Sequence, residues 1–387
     1  MQFMGYVRPD GKVGCRNHVA VIPSVVCAVD VAQAIVHQVQ GTVGLFHHQG
    51  CCQLPPDLDR VTNVLIALAC SPNVGAALIV SLGCEGTDHK RLYETVRAAG
   101  KPVKIIHIQE LGGPSAAIHA GTDAARRLVR AISGIQRQPA DISQLVMSIK
   151  CGASDSTSGM ASNCVIGHVA DRVVDLGGTV VFGETTEFLG AEHILARRAV
   201  TPEVGKKILR IVNQMEFRAK SLGCDMRKGQ PTPGNIAGGL TTIEEKSLGA
   251  IMKSGSRPIQ GVLDYEEMVT GQKGLWIKDT PGREPEILTG MACTGAQCML
   301  FSTGLGAPQG FPTMPVLKIC GNPRTYARMR EDMDLNAGAI IEGEKSIEEV
   351  GEEAFALLLD TLNGRLTKNE AIRYFSAIDI HTLGPVI

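Results

Sequence analysis

Aromatic side chains are scarce, at 4% of 387 residues with a single Trp. So thin a supply of ring faces excludes a stacking platform for single-stranded nucleic acid. Neither sign of charge is in excess: 38 Lys and Arg face 39 Asp and Glu, for a formal net charge of −1. The chain therefore carries no electrostatic footprint for nucleic acid or an anionic membrane. Long hydrophobic runs are missing too. The longest, around Ala76–Leu82, is far below the roughly 20 residues of a membrane helix. The opening MQFMGYVRPDGKVG lacks the basic and apolar regions of a secretory signal, so a cytoplasmic location is expected.

The 12 cysteines form no C-x-x-C pair, which disfavours zinc ribbons and thioredoxin-type redox pairs. In a chain without a signal they read as thiols, metal ligands or core side chains, not a disulfide framework. Neither a P-loop nor a G-x-G-x-x-G after the first strand is present, so no nucleotide cofactor is expected. Glycine is what abounds, with 44 residues. That share exceeds the usual roughly 7% and points to tight turns and close backbone approaches to a bound molecule.

Hydrophobic residues at 44% and charged ones at 20% fit a globular enzyme, and the length exceeds one comfortable core. The pattern alternates. Strands are expected at His18–Val26, Thr42–Phe46, Ala76–Leu82 and Val103–Ile108, with helices at Ala28–Gln38, Arg60–Cys70, Lys90–Ala99 and Ser115–Ile132. A polar stretch with Pro139, Gly134–Ser143, marks a boundary, and the rhythm restarts with strand Leu145–Ile149, helix Asn163–Leu176 and strand Thr179–Phe182. A long helix is expected at Pro202–Leu222, then a Gly/Pro-rich loop at Gly229–Gly239 and a helix at Thr242–Met252 opened by a capping box, Thr242 with Glu245. Further strands are expected at Ile259–Leu263, Ile287–Met291, Pro315–Ile319 and Ala339–Ile341, and a closing helix at Glu348–Leu362. Such alternation predicts an α/β fold with mainly parallel sheets flanked by helices, in two domains, 1–137 and 138–387.

In open parallel sheets ligands bind at the carboxyl ends of strands, and there the polar chemistry collects. His47 to Cys51, Cys84 with Glu85, Lys150 to Asp155, Glu184 with Glu187, and Cys293 to Gln297 each follow an expected strand. Thiolate, imidazole and carboxylate together suit a borderline metal such as iron or zinc, or a Cys nucleophile with a His base. The loop Pro231–Gly239 could cradle an anion at a helix start. Arg8, Arg16 and Asn17 could grip a carboxylate or make inter-domain salt bridges. Lys150 and Lys246 could each act as a base or electrostatic clamp, with a solvated helix face the favoured reading for Lys246.

These motifs occur in one order: GYVRPDGKVGCRN from Gly5, H-x-x-G-C at His47–Cys51, SLGCE at Ser81–Glu85, KCGASDSTSG from Lys150, GETTEFLGAE from Gly183, PGNIAGGLTTIEEKSLGAI from Pro233, and GAQ at Gly295–Gln297. The series resembles the altronate and galactarate dehydratase family, which includes the large subunit of sulfolactate sulfo-lyase. The resemblance implies a lyase that removes water, or sulfite, from a 2-hydroxy acid by α,β-elimination. It implies a divalent metal, Fe2+ before Mn2+, a variant Rossmann-like metal domain, a dimeric or larger assembly, and an N-terminal domain that dimerises. The family's β-clip domain is not seen before the GY-x-R motif, so either a separate small subunit supplies it or this branch works without it. Three departures stand out: KCGASD for KCGGSD, Cys164 where a Pro is expected, and STGLG for TTGRG, with Leu305 in place of a cation. The last weakens galactarate as substrate and leaves room for a shorter or sulfonated acid.

On that basis the expected metal ligands are Cys84, Cys151 and Glu187, with Glu184 and Asp155 in reserve. His47 is the expected acid/base and Lys150 the neutraliser of developing charge. Arg8, Arg16, Asn17, Asn235, Gly238, Gly239 and Gln297 are expected to hold the substrate. Two other classes stay open: a thiol hydrolase using Cys51 or Cys151 without metal, and a non-catalytic subunit that binds a small acid.

Overall fold

The computed structural model describes residues 1–375 and 378–385. The parallel α/β expectation holds, in two domains, each built around its own parallel sheet. The strands in chain order are β1 (Gln2–Val7), β2 (Val13–Gly14), β3 (His18–Pro23), β4 (Thr42–Gly44), β5 (Val74–Ser81), β6 (Val103–His107) and β7 (Gln138–Asp141). They continue with β8 (Val146–Cys151), β9 (Thr179–Phe182), β10 (Ile259–Leu263), β11 (Gly274–Lys278), β12 (Cys298–Thr303), β13 (Val316–Cys320) and β14 (Leu335–Asn336).

The N-terminal sheet is four-stranded, ordered β4-β3-β5-β6, and the C-terminal sheet seven-stranded, ordered β10-β11-β9-β8-β12-β13-β14. All pairings within both are parallel. Strands β5, β12 and β13 are buried at every position, as a sheet covered on both faces requires. Helices Val29–Gln38 and Pro114–Ser133 cover the outer face of the smaller sheet. Helices Asn163–Asp175 and Ile347–Leu362 cover one face of the larger. Between the sheets lies a shared core, in which Val61 and Leu65 of helix Pro55–Ala69 meet Ile287, Met291 and Phe301. The two domains are thus joined by apolar packing, not by a linker alone.

Several expectations need correction. Ile287–Met291 is not a strand: it lies within the helix Glu284–Ala292, because an apolar run of five residues fits a buried helix as well as a buried strand. Ala339–Ile341 is part of a one-turn helix, Gly338–Ile341. Strands β11 and β12 were not expected. The polar stretch around Pro139 holds β7, which pairs antiparallel with β1 and sets Pro139 opposite Met4; β7 is an edge strand, where a missing N–H is tolerated. The Gly229–Gly239 loop starts at the end of a short helix, Met226–Gly229, and contains another, Pro233–Ala237. Thr242 caps its helix as expected, but the Glu245 carboxylate turns to Thr241, so the box is only half formed.

Candidate functional site

Neighbouring strands β8 and β9 end side by side, and their ends carry the chemistry. Cys151 closes β8. Glu184 follows β9 with φ +70°, a left-handed conformation that costs a non-Gly residue roughly 1–2 kcal/mol. It is held there by its N–H donating to Thr280 Oγ1 at 2.8 Å and by Thr185 N–H donating to Thr280 O at 3.0 Å. That turn aims the Glu184 carboxylate back at Cys151, whose backbone N–H donates to Oε2 at 2.9 Å. One short 3-10 turn later, Glu187 accepts from the Cys151 thiol at 2.8 Å. Strain of this kind collects at functional sites.

A fourth group completes the cluster. Lys253 ends the turn after helix Ile243–Ile251 and is fully buried. Its Nζ lies 3.1 Å from Cys151 Sγ, 2.9 Å from Glu184 Oε2 and 2.7 Å from Glu187 Oε2. Lys150, also fully buried, pairs with Glu284 and sits 3.6 Å from Glu184 Oε1. Burial raises the Cys151 thiol well above its usual range, and the Glu187 charge adds to it. Burial and then Glu187 push Glu184 up to about 7. Burial acts on Glu187 in the same sense, but Lys253 and Lys246 outweigh it and bring that carboxylate down to about 2. Two buried ammonium groups and two buried carboxylates therefore balance one another around one thiol.

Beside the cluster is a cavity of about 200 Å³ lined by Ser154, Ser158, Asn163, Lys246 and Gly249, among others. Its floor is the start of the helix after β8, which opens with a π turn at Ser158–Ser162, a feature frequent at functional sites. Ser154 Oγ and Asn163 Oδ1 are buried here without a hydrogen-bond partner, as is Ser247 Oγ on the neighbouring helix. Buried polar atoms left open in this way are unusual and suit a polar ligand. Lys246 is not on a solvated face: its Nζ lies 4.0 Å from Glu187 Oε1 and donates to Gln230 at 3.0 Å. It links the cavity to the cluster.

Of the residues expected at the site, the fold brings Cys151, Glu184, Glu187 and Lys150 together. The others lie elsewhere or brace the site. Asp155 caps the helix after β8, accepting from Thr157 N–H and Ser158 N–H and from Asn322 Nδ2. Asn235 donates to Ser154 O at 2.8 Å, and Gly238 O accepts from Ser156 N–H, so the Asn235–Gly239 segment buttresses the loop after β8. Gly239 lies against Ser156. Leu305 N–H donates to Ala153 O at 2.8 Å, which ties the STGLG loop to the same place.

Arg8, Arg16, Asn17 and Gln297 hold the chain together rather than face a cavity with free donors. Arg8 donates to Pro72 O, Asn17 Oδ1 and Arg16 O, and Asn17 donates to Ile132 O. Arg16 pairs with Glu370 at 2.8 Å and donates to Thr361 O and Arg365 O. Gln297 donates to Val13 O and Gln144 O. Arg16 thus makes a salt bridge, whereas Arg8 clamps carbonyl and amide oxygens. His47 is buried, its Nε2 donating to Pro23 O at 2.7 Å and its Nδ1 accepting from Gln49 N–H at 3.2 Å. Neither nitrogen is open to a substrate, and burial lowers its pKa to about 4. Cys51 and Cys84 are exposed on loops of the other sheet, Cys51 beside Cys52 and Cys84 beside Gln109.

Lys253 was missed by sequence reading. It stands at a helix end, in Met252–Ser254, with no local motif to mark it; only the pairing of β8 with β9 brings its partners to it.

The donor set fits a metal. Cys151 Sγ and one carboxylate oxygen each of Glu184 and Glu187 lie within 4.8 Å of one another, all buried. One sulfur and two carboxylates suit a borderline divalent ion better than Mg2+ or Ca2+, which prefer oxygen alone. Among the described residues no helix is long and apolar enough to cross a membrane.

Comparison with known proteins places the chain in a family. Residues 5–133 match the family model of the D-galactarate dehydratase/altronate hydrolase second domain, and residues 142–385 that of the D-galactarate/altronate dehydratase C-terminal region. The chain is 39% identical to the (2R)-sulfolactate sulfo-lyase subunit beta of Chromohalobacter salexigens, over 96% of this chain and 95% of that one. It is 32% identical to the altronate dehydratase of Bacillus subtilis, over 95% of this chain and 75% of the relative. With the galactarate dehydratase (L-threo-forming) of Escherichia coli it shares 33% identity over 94% of this chain and 73% of the relative. The chain belongs to the D-galactarate/altronate dehydratase family, and it is a lyase.

Proposed function

We propose that this lyase eliminates water or sulfite from a 2-hydroxy acid, with a divalent metal, Fe2+ before Mn2+, held by Cys151, Glu184 and Glu187. The observation that carries the reading is the buried Cys/Glu/Glu cluster beside a cavity with unpartnered Ser154 Oγ and Asn163 Oδ1. In the reaction the C2 proton passes to a base, and the C2–H electron pair becomes the C2=C3 bond of an enol. The C3 hydroxyl leaves with its bond pair and a proton as water, or the sulfonate leaves with its bond pair as sulfite. The enol then gives its hydroxyl proton up as C3 takes one, yielding a 2-keto acid. Nothing is oxidised or reduced. A metal bound there supplies an electrophile for the substrate's carboxylate and 2-hydroxyl.

The chain's own residues do the rest. Lys246 presents a cation to the substrate's negative end. Asn163 Oδ1 and Ser154 Oγ are free to bond a hydroxyl, and the water-poor setting strengthens both contacts. Lys150 offsets the charge of Glu184 and Glu284. Residue 305 is tied to the loop after β8 by its backbone bond to Ala153 O, and its exchange from a cation to Leu is our reason to expect a difference at the distal end of the substrate.

The sulfo-lyase reading is favoured by the higher identity to that relative, 39% against 32% and 33%, and by Leu305 where an Arg would suit a long sugar acid. The relative's name as a subunit supports a partner subunit; we further propose that this partner is a small β-clip chain and that the protein works as a dimer in the cytoplasm. The test is metal content and activity of the anaerobically purified chain, with and without Fe2+ and a small partner, on sulfolactate, altronate and galactarate. We expect Fe2+-dependent keto acid, with free sulfite from sulfolactate. A chain that binds no metal and forms no keto acid from any of the three overturns the reading.

A further inference from the structure

Lys253 was absorbed by no step above, yet it makes the tightest set of contacts in the site. Its Nζ bonds Cys151 Sγ, Glu184 Oε2 and Glu187 Oε2 at 3.1, 2.9 and 2.7 Å. The three residues are also those that could hold a metal. A metal bound to them at 2.0–2.3 Å, the usual range for carboxylate and thiolate bonds to such ions, would lie within a bond length or so of the ammonium. Two cations cannot share that space: at such separation in a buried site their repulsion exceeds any surface ion-pair energy.

We propose that Lys253 is a built-in counter-cation whose ammonium and the divalent metal exclude one another at the same three donors. Resting on the metal-site reading, this adds how the metal-free protein stays folded. Without metal, Lys253 offsets the buried Glu184 and Glu187 charges and keeps the donors converged. With metal, the Lys253 ammonium swings away from the donors. The price of entry is the loss of three buried hydrogen bonds, so the native lysine weakens metal binding while protecting the empty site.

The test pairs Lys253→Met, similar in length and uncharged, with the native protein. Mn2+ affinity is read by electron paramagnetic resonance of free ion, and melting is followed with and without Mn2+. We expect K253M to bind Mn2+ about tenfold more tightly or better. We also expect its metal-free form to melt roughly 5 °C or more below the native one, with Mn2+ restoring most of the difference. Equal or weaker Mn2+ binding by K253M overturns the proposal and leaves the metal site standing. If neither protein binds Mn2+, Fe2+ or Zn2+, both the proposal and the metal-site reading fall. Should K253M not fold, the native protein crystallised with Mn2+ decides. Lys253 Nζ beyond about 4 Å from at least two of the donors, outside hydrogen-bond reach, supports exclusion; Nζ still bonded to all three beside a bound Mn2+ overturns it.

Discussion

The two parallel sheets end in loops of similar composition but opposite character. At the carboxyl end of the smaller sheet, Cys51, Cys52 and Cys84 are exposed, and His47 is tied to backbone on both nitrogens. At the carboxyl end of the larger one, Cys151, Glu184, Glu187, Lys150 and Lys253 are buried and converge on one another. Both ends offer thiols, carboxylates and cations. What separates them is cover: helix Ile243–Ile251 and its following turn close over β8 and β9, and among the described residues nothing equivalent covers Cys84. Burial converts a collection of polar residues into a site, because only there are charges strong enough to hold one geometry.

The largest effect should come from breaking the buried end. Glu187→Ala leaves buried Lys253 with one carboxylate partner, Glu184, beside Cys151, and Lys246 with Gln230 in place of a carboxylate. We expect loss of metal, loss of activity by about a thousandfold or more, and destabilisation of about 3–5 kcal/mol. Cys84→Ser at the exposed end should change metal content and activity by less than about twofold, since surface substitutions away from a site rarely matter. Metal analysis and initial rates compare the two. Metal lost with Cys84→Ser but kept with Glu187→Ala would reverse the assignment.

The exposed end contributes to stability instead, through His47. Burial holds that imidazole at about 4, against an ordinary value of 6.5. Between those values the unfolded chain binds more protons than the folded one, so stability is present above pH 6.5 and declines as pH falls toward 4. This group accounts for a loss of about 3 kcal/mol. Denaturant titrations at pH 7 and pH 4.5 measure it, and a His47→Gln variant should show a shallower acid decline.

Two smaller changes probe the loop after β8. A Cβ on Gly152 would lie 2.2 Å from Glu284 Oε1 and 2.8 Å from Lys150 Nζ. Gly152→Ala should therefore force the Lys150–Glu284 pair apart and cost about 1–3 kcal/mol, seen as a lower Tm. Ala153 has φ +47°, where glycine is at ease and alanine is not. Ala153→Gly should stabilise by about 1 kcal/mol, a rise of a few degrees in Tm. An unchanged or lower Tm would show that glycine's extra freedom in the unfolded chain outweighs the relieved strain.

Much of the fold was legible. The β-branched runs and their spacing predicted β3, β5, β6, β8, β9 and β10 close to where they lie, because strands buried on both faces must be apolar throughout. The runs that misled were short. Ile287–Met291 carries nothing to separate helix from strand except the Glu284 and Pro285 that start its helix, and Gly274–Lys278 and Cys298–Thr303 mix Gly, Lys and Ser into buried strands. Lys278 can sit in such a strand because its ammonium reaches Glu267 O, a partner no periodicity reveals.

By itself the sequence determined the parallel α/β class, the family, and that Cys151, Glu184 and Glu187 stand at strand ends, since these follow from local pattern and from the position of polar residues after apolar runs. Only the tertiary structure decided which strand ends are neighbours. It set β9 rather than β5 near enough to β8 for ligands to meet, turned Arg8 and Arg16 into clamps on carbonyls, and brought Lys253 to the donors. Strand order depends on crossovers spanning tens of residues, and the burial they impose sets the strength of every charge in the site.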